Sequence, residues 1–414
     1  MAKRQLGLGK KSKTNKKQKV EDEETSAAST NELTVELDHE VDPNDEFSQL
    51  HGLWDTYLGG ERDNELILNG IVNECDRLLR NSTTDKITDK FYAIYGVALS
   101  ELAKFKTEEA KDVTAFFNEL IDRLDTGLKK FPHSPELLFA KSKVLINQVP
   151  LQYISQLDLN SKHKDINVKE LLDRVLQTYN GAESKAIEQK RFHLFNSESF
   201  EILQALDDTL EIIDNFGKDH IEADDDREDE GLGKNSDDDN DENGNEIKLD
   251  EDHSLYQIRE SDEYNLWWRE KTIVFLNQVK KDKAVDKALV LELNKLLGQS
   301  YLKESEGITS IYTTLMYDDD FEGEELEGFT KHELQKIAQE LIGKALKYLE
   351  AAEDDDDPES WVLVSEAMIS LANCYELESE DQESLYKKAE KRLERANKAT
   401  QGRYQEELDN LLQN

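Results

Sequence analysis

The stretch Leu128-Lys-Lys-Phe-Pro132-His-Ser-Pro135-Glu-Leu-Leu-Phe139 closes one helix and opens the next. A proline inside a helix loses a backbone hydrogen bond and clashes with the turn before it, at a cost of about 3 kcal/mol. At the first helical position the missing N–H costs nothing, and a serine immediately before it is a good N-cap. Ser134 and Pro135 therefore read as the cap and first residue of a new helix. The same grammar recurs in Leu349-Glu-Ala-Ala-Glu-Asp-Asp-Asp-Asp-Pro358-Glu-Ser-Trp361, with Asp357 as the cap.

Working outward, Pro43, Pro132, Pro135, Pro150 and Pro358 all fall between periodic segments, and none lies between residues 151 and 357. Their placement marks joints between long helices. Apolar residues recur at spacings of three and four: Phe47, Leu50, Trp54, Tyr57 and Leu58; then Ile67, Ile71, Cys75, Leu78 and Leu79; later Leu203, Leu206, Leu210 and Ile213; and Leu334, Ile337, Leu341, Ala345 and Leu349. That is the period of an amphipathic helix, and no run alternates convincingly as a strand. After the second joint, Trp361-x2-Val364-Ser365-x2-Met368 resembles the first helix of a tetratricopeptide repeat, in which a small residue lets the paired helix approach. Leu120, Leu124, Gly127 and Pro132 resemble the second helix and its terminal proline. The two helices expected between Thr88 and Pro132 are too long for the roughly 34-residue repeat. The expected fold is therefore all-α, an irregular tetratricopeptide-like or HEAT-like helical-repeat solenoid in two halves. An irregular helical bundle is the plainer alternative.

The 414 residues carry a formal net charge of -40 and are 37% hydrophobic, enough for a sizeable core outside the polar segments. Residues 219–252 hold 17 acids against Arg227, Lys234 and Lys248, too acidic and glycine-rich to bury surface. The expected organisation is a disordered arm over 1–45, basic then acidic; an N-terminal helical-repeat half over 46–217; an acidic disordered loop over 218–253; and a C-terminal helical-repeat half over 254–414. Cys75 and Cys374 are far apart and lie in helical patterns, so neither a disulfide framework nor zinc spacing can be read. No apolar run approaches the ~20 residues of a membrane span, and no signal peptide is expected.

Residues 1–20 contain Lys3, Arg4, Lys10, Lys11, Lys13, Lys16, Lys17 and Lys19 and no acid. A flexible polybasic arm on an acidic body suits the acidic groove of a nuclear import receptor. Binding of nucleic-acid phosphates, binding of an anionic membrane surface and a solvated tail are its rivals. The rest of the chain repels phosphate, and no basic run with interleaved aromatics exists outside the arm, which argues against direct nucleic-acid binding by the folded body. No apolar anchor interleaves the lysines, which argues against the membrane. The expected location is the nucleus, with the cytoplasm as a second compartment.

Catalytic signatures are absent from the sequence, so no catalytic, cofactor or metal residue is assigned and the chain is read as a non-enzyme. Asp239-Asn-Asp241-Glu-Asn243-Gly244 has the oxygen-ligand spacing of a calcium loop, but Asp250 stands where a bidentate glutamate is usual and no entering helix precedes it. His163-x-Asp165 with His193 or His220 has the order of an iron facial triad without the β-barrel such ligands need. Leu6-Gly7-Leu8-Gly9-Lys10 lacks the strand and the hydroxyl of a phosphate loop. Ser236, followed by three aspartates, is a candidate phosphosite for an acidophilic kinase. Trp267-Trp268 is a candidate partner anchor; adjacent helical residues point about 100° apart, so one tryptophan is expected in the core and the other at an interface.

The start Ala2-Lys-Arg-Gln-Leu-Gly-Leu-Gly-Lys10, its lysine-rich continuation, the acidic mid-chain loop and the irregular helical repeats together resemble the fungal enhancer of translation termination family. That family is also known as the negative regulator of a prolyl-hydroxylase-like, 2-oxoglutarate- and iron-dependent dioxygenase. Lys3, Arg4, Leu6, Gly7, Leu8, Gly9 and Lys10 carry the match, with Gln5 where the family has proline. The resemblance implies a nuclear, non-enzymatic adaptor that binds the dioxygenase, supports accurate translation termination and takes part in hypoxic gene regulation. Its implied partners are the dioxygenase, a nuclear import receptor and ribosome-associated proteins, and any iron would belong to the dioxygenase. The competing class is an acidic chaperone for basic histone- or ribosome-type clients, with the acidic loop as its shield.

Overall fold

The computed structural model describes residues 3–6, 33–36, 42, 45–81, 86–106, 110–217, 248–317, 323 and 325–413. The fold is all-α, with the chain divided into two compact units, Met1–Lys190 with Gln204–Ser261 and Arg191–Leu203 with Asp262–Asn414.

The first unit contains α1 (Glu46–Gly59), α2 (Glu65–Asn81), α3 (Asp89–Ala103), α4 (Ala110–Lys130), α5 (Pro135–Gln148) and α6 (Val168–Glu188). The larger part of α7 (Ser197–Asp214) and the short α8 (Tyr256–Arg259) complete it. Consecutive helices pack on one another from α1 to α6, and α3 also packs on α5. The apolar stripes converge on Leu50, Trp54, Ile71, Cys75, Phe91, Phe117, Leu124 and Leu137. The joint at Pro135 forms as its sequence requires. Ser134 Oγ accepts from the Leu137 N–H at 3.2 Å and donates to an Asp89 carboxylate oxygen at 2.7 Å, so the cap also ties α5 to α3. Where the chain passes Pro150, helical winding continues through a π turn over Val149–Tyr153 and a 3-10 turn over Ile154–Gln156. A wide turn tolerates the missing proline donor, so this joint bends the chain without ending it.

The second unit holds the start of α7, α9 (Glu263–Val279), the long α10 (Lys287–Tyr317), α11 (Lys331–Ala351), α12 (Pro358–Ala372), α13 (Glu380–Ala399) and α14 (Gln405–Gln413). Again each helix from α9 to α14 packs on the next. Leu349, Val364, Met368 and Ala389 form one part of its core, and Trp361, Leu393, Ala396 and Tyr404 another. Asp357 accepts from the Glu359 N–H at 3.1 Å with Pro358 in the first turn. The Trp361 indole N–H donates to the Asp354 carbonyl at 2.7 Å, closing the polar turn onto the helix it precedes. Ser365 is fully buried and donates to the Trp361 carbonyl, which is how a hydroxyl enters this interface without a lost hydrogen bond.

No strand was expected from the sequence, but short ones are present. β1 (Lys3–Leu6) and β2 (Leu33–Glu36) pair antiparallel with Lys3 opposite Glu36, and β3 (Glu325–Leu326) pairs with β4 (Phe329–Thr330). Between β3 and β4, Glu327 and Gly328 both have positive φ, the signature of a tight hairpin turn. Four- and two-residue ladders are too short to impose a visible alternation on a sequence.

Candidate functional site

The adjacent tryptophans divide between interior and surface. Trp268 is 5% exposed, and its indole N–H donates to the Leu203 carbonyl at 2.9 Å. Trp267 is half-buried beneath Lys271, whose Nζ lies 5.8 Å from the ring centroid, and Leu266 beside it is exposed. Trp267 and Leu266 thus place apolar surface on the solvent side of α9. Next to them in sequence, Arg269 turns inward, its guanidinium 4.3 Å over the Tyr301 ring and paired with Glu304.

The arm residues Lys3 and Arg4 lie in β1, whereas Lys10, Lys11, Lys13, Lys16, Lys17 and Lys19 fall outside the described residues, as do Ser236 and the stretch 239–247 of the calcium-like loop. Of the triad-like residues, His163 belongs to a loop contact: its Nδ1 lies 2.9 Å from the Asp252 carbonyl oxygen. His193 is an exposed residue of a 3-10 turn, Phe192–Leu194, in the second unit. Among the described residues no cluster of histidine, cysteine and carboxylate side chains has the arrangement of a metal site.

Both flanks of the acidic stretch are fastened to the first unit. On the near side, the Arg259 guanidinium donates to the carbonyls of Ile213 and Phe216 at the end of α7. On the far side, Lys162 and His253 form an isolated antiparallel bridge, and Lys162 Nζ contacts Asp252 at 2.5 Å. That hydrogen bond holds the Asp252 carboxyl below the usual carboxylate range and raises the lysine. His253 is buried, with Nε2 3.0 Å from the Asp158 carbonyl oxygen. Residues 248–253, the end of the acidic stretch, are therefore built into the fold.

A cleft of about 610 Å³ lies in the second unit, lined by the C-terminal half of α10, one face and the end of α12, and Ile342 of α11. Leu302, Ile342 and Tyr312 supply apolar surface to it. Ser305, Thr309 and Thr313 line one wall at a spacing of four residues, and each hydroxyl donates to a backbone carbonyl of its own helix: Leu302, Ser305 and Thr309 respectively. Glu306 and Glu366 contribute exposed carboxylates, and Asn373 an amide whose oxygen accepts from the Tyr386 hydroxyl. The Glu366 carboxyl is raised above the usual range, first by loss of solvent around it and then by repulsion from Glu407. The sequence reading missed this site. Its available signal is the Ser305, Thr309, Thr313 stripe, but a polar stripe does not reveal which helix stands opposite.

The chain matches, over residues 1–412, the family model described as Nro1, nuclear pore complex subunit Nro1. Among similar proteins, two named Enhancer of translation termination 1 align over nearly their whole length. The Scheffersomyces stipitis protein is 48% identical, covering 100% of each chain. The Meyerozyma guilliermondii protein is 50% identical, covering 99% of this chain and 98% of that one. A solved structure of the S. pombe nuclear import adaptor Nro1 superposes with a TM-score of 0.55 at 15% identity, covering 89% of this chain and 97% of that one. At that identity the superposition speaks for the fold, a helical architecture common to both chains.

Proposed function

Because the chain belongs to the Nro1 family, we propose that it is a non-enzymatic nuclear adaptor that binds a prolyl-hydroxylase-like 2-oxoglutarate dioxygenase. Through that partner it acts in translation termination and in hypoxic gene regulation. The carrying observation is the full-length similarity to proteins named for enhanced translation termination, on a fold made of stacked helices. Stacked helix pairs leave extended faces for protein partners, and their specificity resides in side chains along those faces. The nuclear compartment accords with the family description, and the S. pombe relative of the same fold is named a nuclear import adaptor.

Two roles within this reading belong to named residues. Lys3, Arg4, Lys10, Lys11, Lys13, Lys16, Lys17 and Lys19 form the import signal, supported by their charge against the -40 of the whole chain. Trp267 is the anchor on the partner side, supported by the exposed Leu266 beside it. The test is affinity capture of the full chain from cells, read by mass spectrometry. Recovery of a 2-oxoglutarate dioxygenase, lost on Trp267→Ala, supports the reading; absence of any such enzyme sinks it. Neutralising Lys10, Lys11, Lys13, Lys16, Lys17 and Lys19 shifts a fluorescent fusion toward the cytoplasm, and unchanged nuclear accumulation removes the arm's role.

The anchored acidic stretch favours one second reading, a chaperone for basic clients. Deleting residues 218–247 separates the two. Dioxygenase capture that survives the deletion supports the adaptor, whereas loss of histone- or ribosome-type clients supports the chaperone.

A further inference from the structure

We infer that the cleft between α10 and α12 binds a lysine- or arginine-bearing peptide segment of a partner protein, with Glu306 and Glu366 holding the cationic head and Asn373 a peptide carbonyl. This goes beyond the dioxygenase reading and does not depend on it.

The chemistry of the wall specifies the ligand. A hydroxyl has one proton to donate, and Ser305, Thr309 and Thr313 each direct theirs to a carbonyl of α10. What remains for the cleft is lone pairs. Glu306 and Glu366, when ionised, add acceptors and negative charge. A lining dominated by lone pairs and carboxylates matches a donor-rich cation better than an anion. The Asn373 oxygen accepts from the Tyr386 hydroxyl, and the N–H groups of the same amide are donors suited to a backbone carbonyl.

Size and surface separate a side chain from a bare ion. About 610 Å³ is far more than a divalent cation fills, and the described residues contain no cluster with metal-site arrangement. Lysine and arginine carry methylene stems that prefer apolar surface while the charged head reaches polar groups. Leu302 and Ile342 offer that surface in the same lining. Glu407 repels the Glu366 carboxylate, and an arriving cation offsets that repulsion. The -40 net charge further favours encounter with a basic segment.

The same net charge attracts basic peptides everywhere, so the experiment must separate the cleft from the general field. Fluorescence anisotropy is measured with the full chain and a labelled dodecapeptide carrying four arginines among leucine and serine, beside the peptide with citrulline in place of each arginine. Glu306→Gln with Glu366→Gln is compared with Glu340→Gln and Glu383→Gln, which removes equal charge from exposed pairs on α11 and α13. Loss of the cleft pair is expected to weaken the arginine peptide about tenfold or more. The control pair is expected to change it less than about twofold, because those glutamates lie outside the cleft lining and act on the peptide only through the general field, which salt screens. The citrulline peptide is expected not to bind. Equal weakening by both pairs, or none by the cleft pair, overturns the proposal. A third chain with Lys10, Lys11, Lys13, Lys16, Lys17 and Lys19 changed to glutamine identifies the occupant. Unchanged peptide affinity supports a partner's segment, whereas tighter binding shows that the chain's own arm competes and overturns the partner assignment. Circular dichroism checks that each variant remains helical.

Discussion

Gly127 of α4 lies directly against Tyr92 of α3: a β-carbon at Gly127 would stand 2.8 Å from both Cβ and Cγ of Tyr92. Those atoms are near the backbone and have little freedom to retreat. At its far end the ring is held as well, with the Lys130 ammonium donating to the Tyr92 hydroxyl at 2.7 Å. The two helices pack this closely because one of them lacks a side chain at the point of contact.

Gly127→Ala is therefore expected to destabilise the protein by about 1–2 kcal/mol, overpacking outweighing the gain in helix propensity. Gly343 of α11 has open space where its β-carbon would go. Gly343→Ala should instead stabilise by about 0.5–1 kcal/mol. Urea unfolding of both variants checks the opposite signs.

Trp268→Ala is expected to cost about 3–5 kcal/mol, since it removes a buried indole and its hydrogen bond to the Leu203 carbonyl. Trp267→Ala should cost less than about 1 kcal/mol, because its side chain is half-buried. The same urea experiment distinguishes the neighbours, and equal losses would contradict the division between interior and surface.

Arg259→Ala should loosen the end of α7, where the guanidinium gathers the carbonyls of Ile213 and Phe216. Hydrogen bonds from a charged donor contribute about 1.5–3 kcal/mol, so amide exchange at Asn215 and Phe216 should accelerate about tenfold or more. Hydrogen exchange with fragment-resolved mass spectrometry measures it. Arg259→Lys should recover little, because one ammonium cannot reproduce the fork.

Alkaline pH should weaken the fold. Burial raises the Cys374 thiol from 9.0 to about 11 and pushes Cys75 up as well. Between about pH 9 and about pH 11 the unfolded chain loses the Cys374 proton while the folded chain keeps it, so stability falls as pH rises through that window. Below it, both states are protonated and the thiol contributes no slope. The fall in urea midpoint from about pH 8 to about pH 10.5 should be smaller in Cys374→Ala than in the parent. An identical fall would exclude this thiol as a source of the effect.

The helices were legible from their own residues because the relevant interactions span a few positions. Ser134 caps a backbone N–H three residues away, Pro135 starts the turn it occupies, and the stripes of α2 and α11 repeat at the helical period. Even the small residue at Gly127 showed as part of a repeat-like pattern. The turn through Pro150 was less legible, because a π turn and a helix end share the same local sequence signs. Nothing local distinguishes Trp267 from Trp268 either, since the choice depends on a carbonyl at Leu203.

Sequence alone thus determined an all-α chain, its helix starts, its acidic and basic segments and the family it resembles, all properties carried by periodicity, caps, charge and a short terminal motif. Tertiary structure decided which tryptophan faces solvent, how the ends of the acidic stretch are fastened, and that Ser305, Thr309 and Thr313 share a cleft with Glu366 and Asn373. The physical reason is range. Local backbone preferences act over a turn of helix, whereas a cleft is assembled by packing helices whose residues lie far apart along the chain.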